Sequence, residues 1–165
     1  MNLHLGYLPG CIGRIAQLHA SYYAGAVGFG APFEAKVATD LSQFCLNYVP
    51  ERDGLWLAEE GGVIHGCVAI DGAAYQEAGA HLRWFITSDQ WRGKGVGSRL
   101  LEAAMAFCRA RGYRNIHLWT FDQLHAARRL YEKHGFRLAL TQRGSQWGSE
   151  VNEQQFIHRS GVSHV

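Results

Sequence analysis

The stretch Trp84-Phe85-Ile86-Thr87-Ser88-Asp89-Gln90-Trp91-Arg92-Gly93-Lys94-Gly95-Val96-Gly97-Ser98 decides the reading of this chain. It passes from an apolar, strand-like run into a helix through three alternating glycines. Missing side chains let an anion approach the backbone closely. The start of a helix then offers unpaired N–H groups and the positive end of its dipole. Arg92 and Lys94 add positive charge. The pattern predicts a pyrophosphate cradle built from Arg92, Gly93, Lys94, Gly95, Val96, Gly97 and Ser98. A Walker A loop is excluded, because Gly93-Lys94 is followed by Gly95 and not by Ser or Thr. A GxGxxG fingerprint fails in both registers, since its third glycine would fall on Ser98 or on Leu100. A glycine-rich turn without a ligand is the alternative reading.

Working outward, the chain alternates strands and helices. Asn2–Tyr7 reads as a short strand, and a helix is expected from about Pro9 to Val27. Gly28-Phe29-Gly30-Ala31-Pro32 breaks it. A second helix follows from about Phe33 to Tyr48, with Phe33, Val37, Leu41, Phe44 and Tyr48 at helical spacing. Leu55–Glu59 and Val63–Ile70, joined at Glu60-Gly61-Gly62, read as an antiparallel hairpin. His81–Thr87 is a further strand. Val96–Arg111 is a helix with Val96, Leu100, Ala104, Phe107, Cys108 and Arg111 along one stripe, stopped by Gly112. Ile116–Phe121 is a strand and Gln123–His134 a helix with Gly135 as its stop. Phe136–Thr141 and Val151–His158 close the chain as strands. A mixed sheet with helices on both faces is the natural package for this order.

Composition agrees with such a package. The chain has 165 residues, 47% hydrophobic and 18% charged, with three prolines. That is one domain, residues 1–165, large enough to bury a core without staples. The net charge of +2 gives no prior for nucleic acid or an anionic membrane surface. Cys11, Cys45, Cys67 and Cys108 are far apart and form no CxxC, which favours reduced thiols and a cytoplasmic setting. No Lys or Arg precedes Arg14, so a secretory signal is not expected. The most apolar run, Ala24–Phe33, is too short and glycine-rich to span a membrane. The nine histidines, from His4 to His164, show no HxxxH or Cys/His ligand spacing, so no metal is expected. Arg109, Arg111, Arg114, Arg128 and Arg129 cluster in sequence and read as solvated helix faces rather than an RNA site.

The loop Arg92-Gly93-Lys94-Gly95-Val96-Gly97 resembles the R/Q-x-x-G-x-G/A signature of the GNAT N-acetyltransferases. Downstream, Ala127-Arg128-Arg129-Leu130-Tyr131-Glu132-Lys133-His134-Gly135-Phe136 is similar to that family's A-x-x-L-Y-E-x-x-G-F segment. The resemblance covers Leu55 to about Phe156. It implies an α/β fold with a central mixed sheet of about six to seven strands and helices on both faces. It implies acetyl-CoA as co-substrate, with the loop amides on its pyrophosphate. The backbone of Phe85, Ile86 and Thr87 would pair with the pantetheine arm. Trp147-Gly148 and Val151–Phe156 resemble more narrowly the acetyltransferase modules that elsewhere follow MarR-type winged-helix domains. Leu124 stands where many members carry a cofactor-contacting Asn, and leucine cannot make that hydrogen bond.

Acetyl transfer needs a neutral amine, a stabilised oxyanion and a proton for the leaving thiolate. The resemblance assigns the last task to Tyr131, a phenol that keeps its proton at neutral pH; packing alone is the alternative. The oxyanion donor would be a backbone N–H near the end of the Phe85–Thr87 strand, freed where parallel strands splay. Glu34, Asp40, Asp122 and His81 are candidate general bases, with a solvated surface role as the alternative for each. Tyr22, Tyr23, Phe29 and Phe33 lie where members of the family shape the acceptor pocket, and core packing would explain them equally. No cysteine has a visible base partner, so direct transfer in a ternary complex is expected. The acceptor is a small-molecule amine, an amino acid or a peptide N-terminus, and a homodimer is compatible with all of these. A non-catalytic acyl-CoA-binding or sensory domain of the same fold is the rival reading.

Overall fold

The computed structural model describes residues 1–160, and His164 lies outside the described residues. In chain order the elements are β1 (Asn2–Leu5), α1 (Cys11–Val27), α2 (Ala31–Leu46), β2 (Gly54–Glu60), β3 (Val63–Asp71), α3 (Tyr75–Ala78), β4 (Ala80–Thr87), α4 (Val96–Ala110), β5 (Asn115–Phe121), α5 (His125–Lys133), β6 (Arg137–Gly144) and β7 (Val151–Arg159). The strands form one sheet in the order β1-β2-β3-β4-β5-β7-β6. Every neighbouring pair is antiparallel except β4 and β5.

Period-2 alternation in β2 and β3 decides which face meets which helix. Trp56, Ala58, Val68 and Ile70 join Leu100, Leu101, Ala104 and Cys108 of α4 in one buried cluster. The intervening Leu55, Leu57, Cys67 and Ala69 join Cys11 and Ile15 of α1 and Leu41 and Phe44 of α2 in another. Helices therefore cover both faces, and β2 and β3 are buried almost throughout. Helix α4 keeps the expected stripe, except that Leu101 and Met105 replace Phe107 and Arg111 among its buried residues.

Some boundaries differ from expectation for local reasons. Helix α1 begins at Cys11, because Gly10 takes a left-handed φ of 87° immediately before it. Pro32 falls inside the first turn of α2, where its missing N–H costs nothing, so the helix starts ahead of Phe33. The sequence reading did not foresee the single turn α3 or the 3₁₀ turn Asp89–Trp91. Neither carries a periodic pattern.

The feature that positions the site is the junction of β4 and β5. These parallel strands pair only at Ala80–Ile116 and His81–His117. Beyond that point they separate, while each keeps its antiparallel partner on the outer side. A bulge in β4 sharpens the divergence: Trp84 has φ 50°, and the β3–β4 register shifts across it. Bulges bend a strand and re-aim its backbone. The Cys67 thiol donates to the Trp84 carbonyl at 2.9 Å and holds the bulge from beneath.

Candidate active site

The glycine loop lies where β4 gives way to α4. The amides of residues 93–98 have no protein acceptor among the described residues. Gly93 and Gly95 have φ of 74° and 81°, left-handed values that an L side chain resists. A Cβ on either would meet nothing within 4 Å, so the space above the loop is open. Gly97 is constrained differently: a Cβ there would sit 3.2 Å from both the Leu130 and the Phe85 side chains. Successive free amides around an open concavity at a helix start fit a pyrophosphate. Of the predicted cradle residues, Arg92, Gly93 and Gly97 line a groove together with Phe85, Ile86 and Thr87. The Val96 side chain turns into the core, so only its backbone can serve an anion. Arg92 pairs with Asp89 and lies 4.1 Å over the Tyr22 ring. Lys94 lies 5.2 Å over Trp91.

A second cavity opens between the separated strands, lined by Leu82–Phe85 on one lip and Leu118–Phe121 on the other. Tyr23, Phe85 and Leu124 line both this cavity and the groove, so the two meet at the splay. Tyr131 of α5 stands at the meeting point, buried, with its ring 5.8 Å from that of Phe85. Among the described residues no hydrogen bond to its hydroxyl contributes to its titration. Burial, and secondarily Tyr23, raises its pKa well above the usual phenol value. The hydroxyl is therefore a donor at all ordinary pH. The unpaired edge of β4 beyond His81 leaves backbone groups free beside it.

The four candidate bases fare differently. Asp40 lines the cavity, but its carboxylate is engaged by Lys36 at 3.1 Å and Arg83 at 3.5 Å. His81 also lines it, stacked on His117 with ring centroids 4.5 Å apart. Burial, then Arg83 and His117, pushes the His81 imidazole down to about 2. Glu34 is exposed on the first turn of α2 and outside the cavity. Asp122 accepts from Asn152 Nδ2 at 2.8 Å and also lies outside it.

Of the four aromatics, Tyr23 and Phe33 line the second cavity, and Tyr22 lines the groove but not that cavity. Phe29 packs into the core against Phe33 and Phe121. Leu124 occupies the N-cap position of α5 and provides no side-chain cap.

His19 was not singled out in the sequence. It is buried on α1 and lines the cavity one turn before Tyr23. Its Nδ1 donates to the Ile15 carbonyl at 2.8 Å, which leaves Nε2 as a lone-pair acceptor. Burial lowers its pKa to about 4, so it is neutral near pH 7. An i,i+4 spacing to a tyrosine facing the same cavity was the only signal available beforehand.

Among the described residues no cluster of three His, Cys, Asp or Glu is placed to hold a metal. Nor is any helix long and apolar enough to cross a membrane.

The fold is shared with solved acetyltransferases. A GNAT-family acetyltransferase from Staphylococcus aureus Mu50 superposes with a TM-score of 0.75 at 17% identity, covering 96% of this chain and 99% of that one. A chain from Salmonella typhimurium, solved with its cofactor acetyl-CoA, gives a TM-score of 0.69 at 14% identity, covering 100% and 98%. In sequence, N-acetyltransferase family 8 member 2 of Rattus norvegicus is 31% identical over 101 residues, 59% of this chain and 45% of that protein. The chain spans about half the length of the curated relatives it matches. The family model described as "Acetyltransferase (GNAT) family" matches residues 15–136, well over half of the chain. The chain therefore belongs to the GNAT family of acetyltransferases.

Proposed function

We propose that residues 1–165 act as one domain that transfers the acetyl group of acetyl-CoA to a primary amine, directly and within a ternary complex. The observation that carries this reading is the run of unpaired amides at 93–98 facing an unpaired edge of β4. The loop amides hold the pyrophosphate, and Arg92 and Lys94 add charge at its rim. The stretch Phe85, Ile86 and Thr87 pairs with the pantetheine arm along the β4 edge turned away from β3 and aims the thioester at the splay. There the amine lone pair attacks the thioester carbonyl. A C–N bond forms, the C–S bond breaks, Tyr131 donates its hydroxyl proton to the leaving sulfur, and the proton shed by the amine nitrogen returns, directly or through solvent, to the phenolate and restores the hydroxyl. Backbone N–H groups of the β4 bulge meet the charge that develops on the carbonyl oxygen.

Direct transfer is supported by the cysteines. None of the four lines the groove or the cavity. The Cys67 and Cys108 thiols are pushed up by burial, Cys108 to about 12. Cys11 is lowered by its contact with Cys45, but sits in the core on α1.

We assign a cytoplasmic setting and a small amine, amino acid or peptide N-terminus as acceptor, with no nucleic-acid or membrane partner; a homodimer is compatible with this assignment. The likeness to modules that follow winged-helix domains rests on Trp147–Phe156 alone. Two measurements test the proposal. CoA should raise the melting temperature by mass action, and an amine panel should show amine-dependent release of free CoA. A thermal shift without release from any amine would favour the non-catalytic acyl-CoA sensor instead. The absence of any shift would remove the cradle reading.

A further inference from the structure

The acceptor-side cavity has a wall chemistry that narrows the amine. One side is aromatic: Tyr23, Phe33, Trp84, Phe121 and Trp147 all line it. Their rings interlock, with centroids 5.0 Å apart for Tyr23–Phe33, 5.8 Å for Tyr23–Phe121 and 5.4 Å for Phe121–Trp147. Trp147 arrives on the loop between β6 and β7, and that loop is tied down. The Glu153 carboxylate, itself buried, accepts from the Gln146 amide at 3.0 Å. Gly148 packs so closely on Pro32 of α2 that a Cβ would come within 2.8 Å. The aromatic wall is thus preformed, and the loop roofs the cavity against the start of α2.

The opposite side offers little to a second positive charge. Asp40 is the only carboxylate lining the cavity among the described residues, and Lys36 and Arg83 already hold it. Arg83 also pairs with Asp71 at 3.3 Å and lies over Trp84, 4.1 Å from the ring centroid. The two lining histidines are neutral. A polyamine would therefore bring its extra ammonium groups to two resident cations and no free carboxylate. His19 Nε2, an uncharged acceptor left free by the Nδ1 bond to the Ile15 carbonyl, suits one neutral amine nitrogen.

We infer that the acceptor is a small primary amine carried on an aromatic body, its ring against Phe33, Trp84, Phe121 and Trp147 and its nitrogen on His19 Nε2. This rests on the proposed acetyl transfer and adds the substrate class to it. Arylalkylamines and aromatic amino acids share this chemistry. They differ in whether a carboxylate reaches Lys36 and Arg83 at the mouth.

The test compares kcat/KM of the full chain for 2-phenylethylamine, phenylalanine, n-butylamine and spermidine, at fixed acetyl-CoA. At least one aromatic amine should exceed both n-butylamine and spermidine by tenfold or more. Preference for phenylalanine over 2-phenylethylamine would assign the mouth cations to a carboxylate, and the reverse would leave the mouth to solvent; either supports the aromatic body. Trp147→Ala, with Trp147→Leu as a milder second variant, should lower the aromatic-to-butylamine ratio at least fivefold. Equal or faster turnover of spermidine or n-butylamine overturns the inference and leaves the transfer chemistry standing, as does an unchanged ratio in both folded variants. CoA release from no amine at all overturns the transfer itself.

Discussion

Two glycines of the cradle, two residues apart, should respond differently to the same added methyl. Gly95 has φ 81° and open space where a Cβ would go; Gly97 has an ordinary φ and a crowded site. In Gly95→Ala the penalty is conformational, about 1–2 kcal/mol for a left-handed L residue. At this chain length that is a fall of roughly 2–8 °C in melting temperature. In Gly97→Ala the Cβ meets Leu130 Cδ1 and Phe85 Cζ at 3.2 Å, both movable side-chain ends. Crowding of about 1 kcal/mol is offset by a helix-propensity gain of up to about 1 kcal/mol. Stability should stay within roughly 1 kcal/mol of the parent. Gly97→Val goes further, because its branches enter the groove that Phe85 and Leu130 wall. Each charge-assisted N–H bond to phosphate that is lost costs about 1.5–3 kcal/mol, roughly a 10- to 150-fold loss in CoA affinity. Thermal unfolding with and without CoA reads all three variants. A larger stability loss in Gly97→Ala than in Gly95→Ala would refute the conformational argument. A parental CoA shift in Gly97→Val would refute the groove.

Tyr131→Phe should keep parental stability, since the hydroxyl makes no hydrogen bond among the described residues, and lower kcat by about 10²-fold with KM for acetyl-CoA little changed; a parental kcat with chemistry rate-limiting would remove Tyr131 as the acid. Asp53 is buried and accepts from the Val49 and Gly72 amides at 3.0 and 2.9 Å while pairing with Arg52. Asp53→Ala should therefore cost about 3–5 kcal/mol, read by urea unfolding, and a loss below about 1 kcal/mol would contradict that network. His19 titrates lower when folded than its usual value, so the unfolded chain binds the extra proton first. Its contribution to stability is full above about pH 6.5 and is lost as pH falls toward 4; His19→Gln should flatten the stability–pH curve in that window, and an unchanged slope would refute its burial as the cause.

Much of the fold was legible because local patterns and tertiary demands coincide. The hairpin of β2 and β3, the stripe on α4 and the glycine stops at Gly112 and Gly135 each carry a short-range signal. The glycine loop was legible for the same reason, although the sequence could not separate the two jobs its glycines do. Gly93 and Gly95 supply left-handed backbone, whereas Gly97 supplies room for Phe85 and Leu130. What stayed hidden depends on residues far apart in the chain. The insertion of β7 between β5 and β6 leaves no local mark. The bulge at Trp84 follows from the pairing with β3, and nothing in the composition of the strand announces it. Asp40 and Asp122 looked alike as carboxylates; only packing put one in the cavity mouth and bound the other to Asn152. His19 reads as an unremarked helix residue until its neighbours across the sheet are known.

The most direct test of acetyl transfer at this cradle follows the label itself. The protein is mixed with acetyl-CoA labelled with 13C at the carbonyl and an excess of primary amine, and the carbonyl resonance is followed by NMR beside folded Gly95→Val. The account predicts conversion of the thioester signal to an amide signal with the parent, dependent on protein and amine, and none above background with Gly95→Val. A label that stays on the thioester, appears as acetate, or moves to the amine equally fast with Gly95→Val would contradict it.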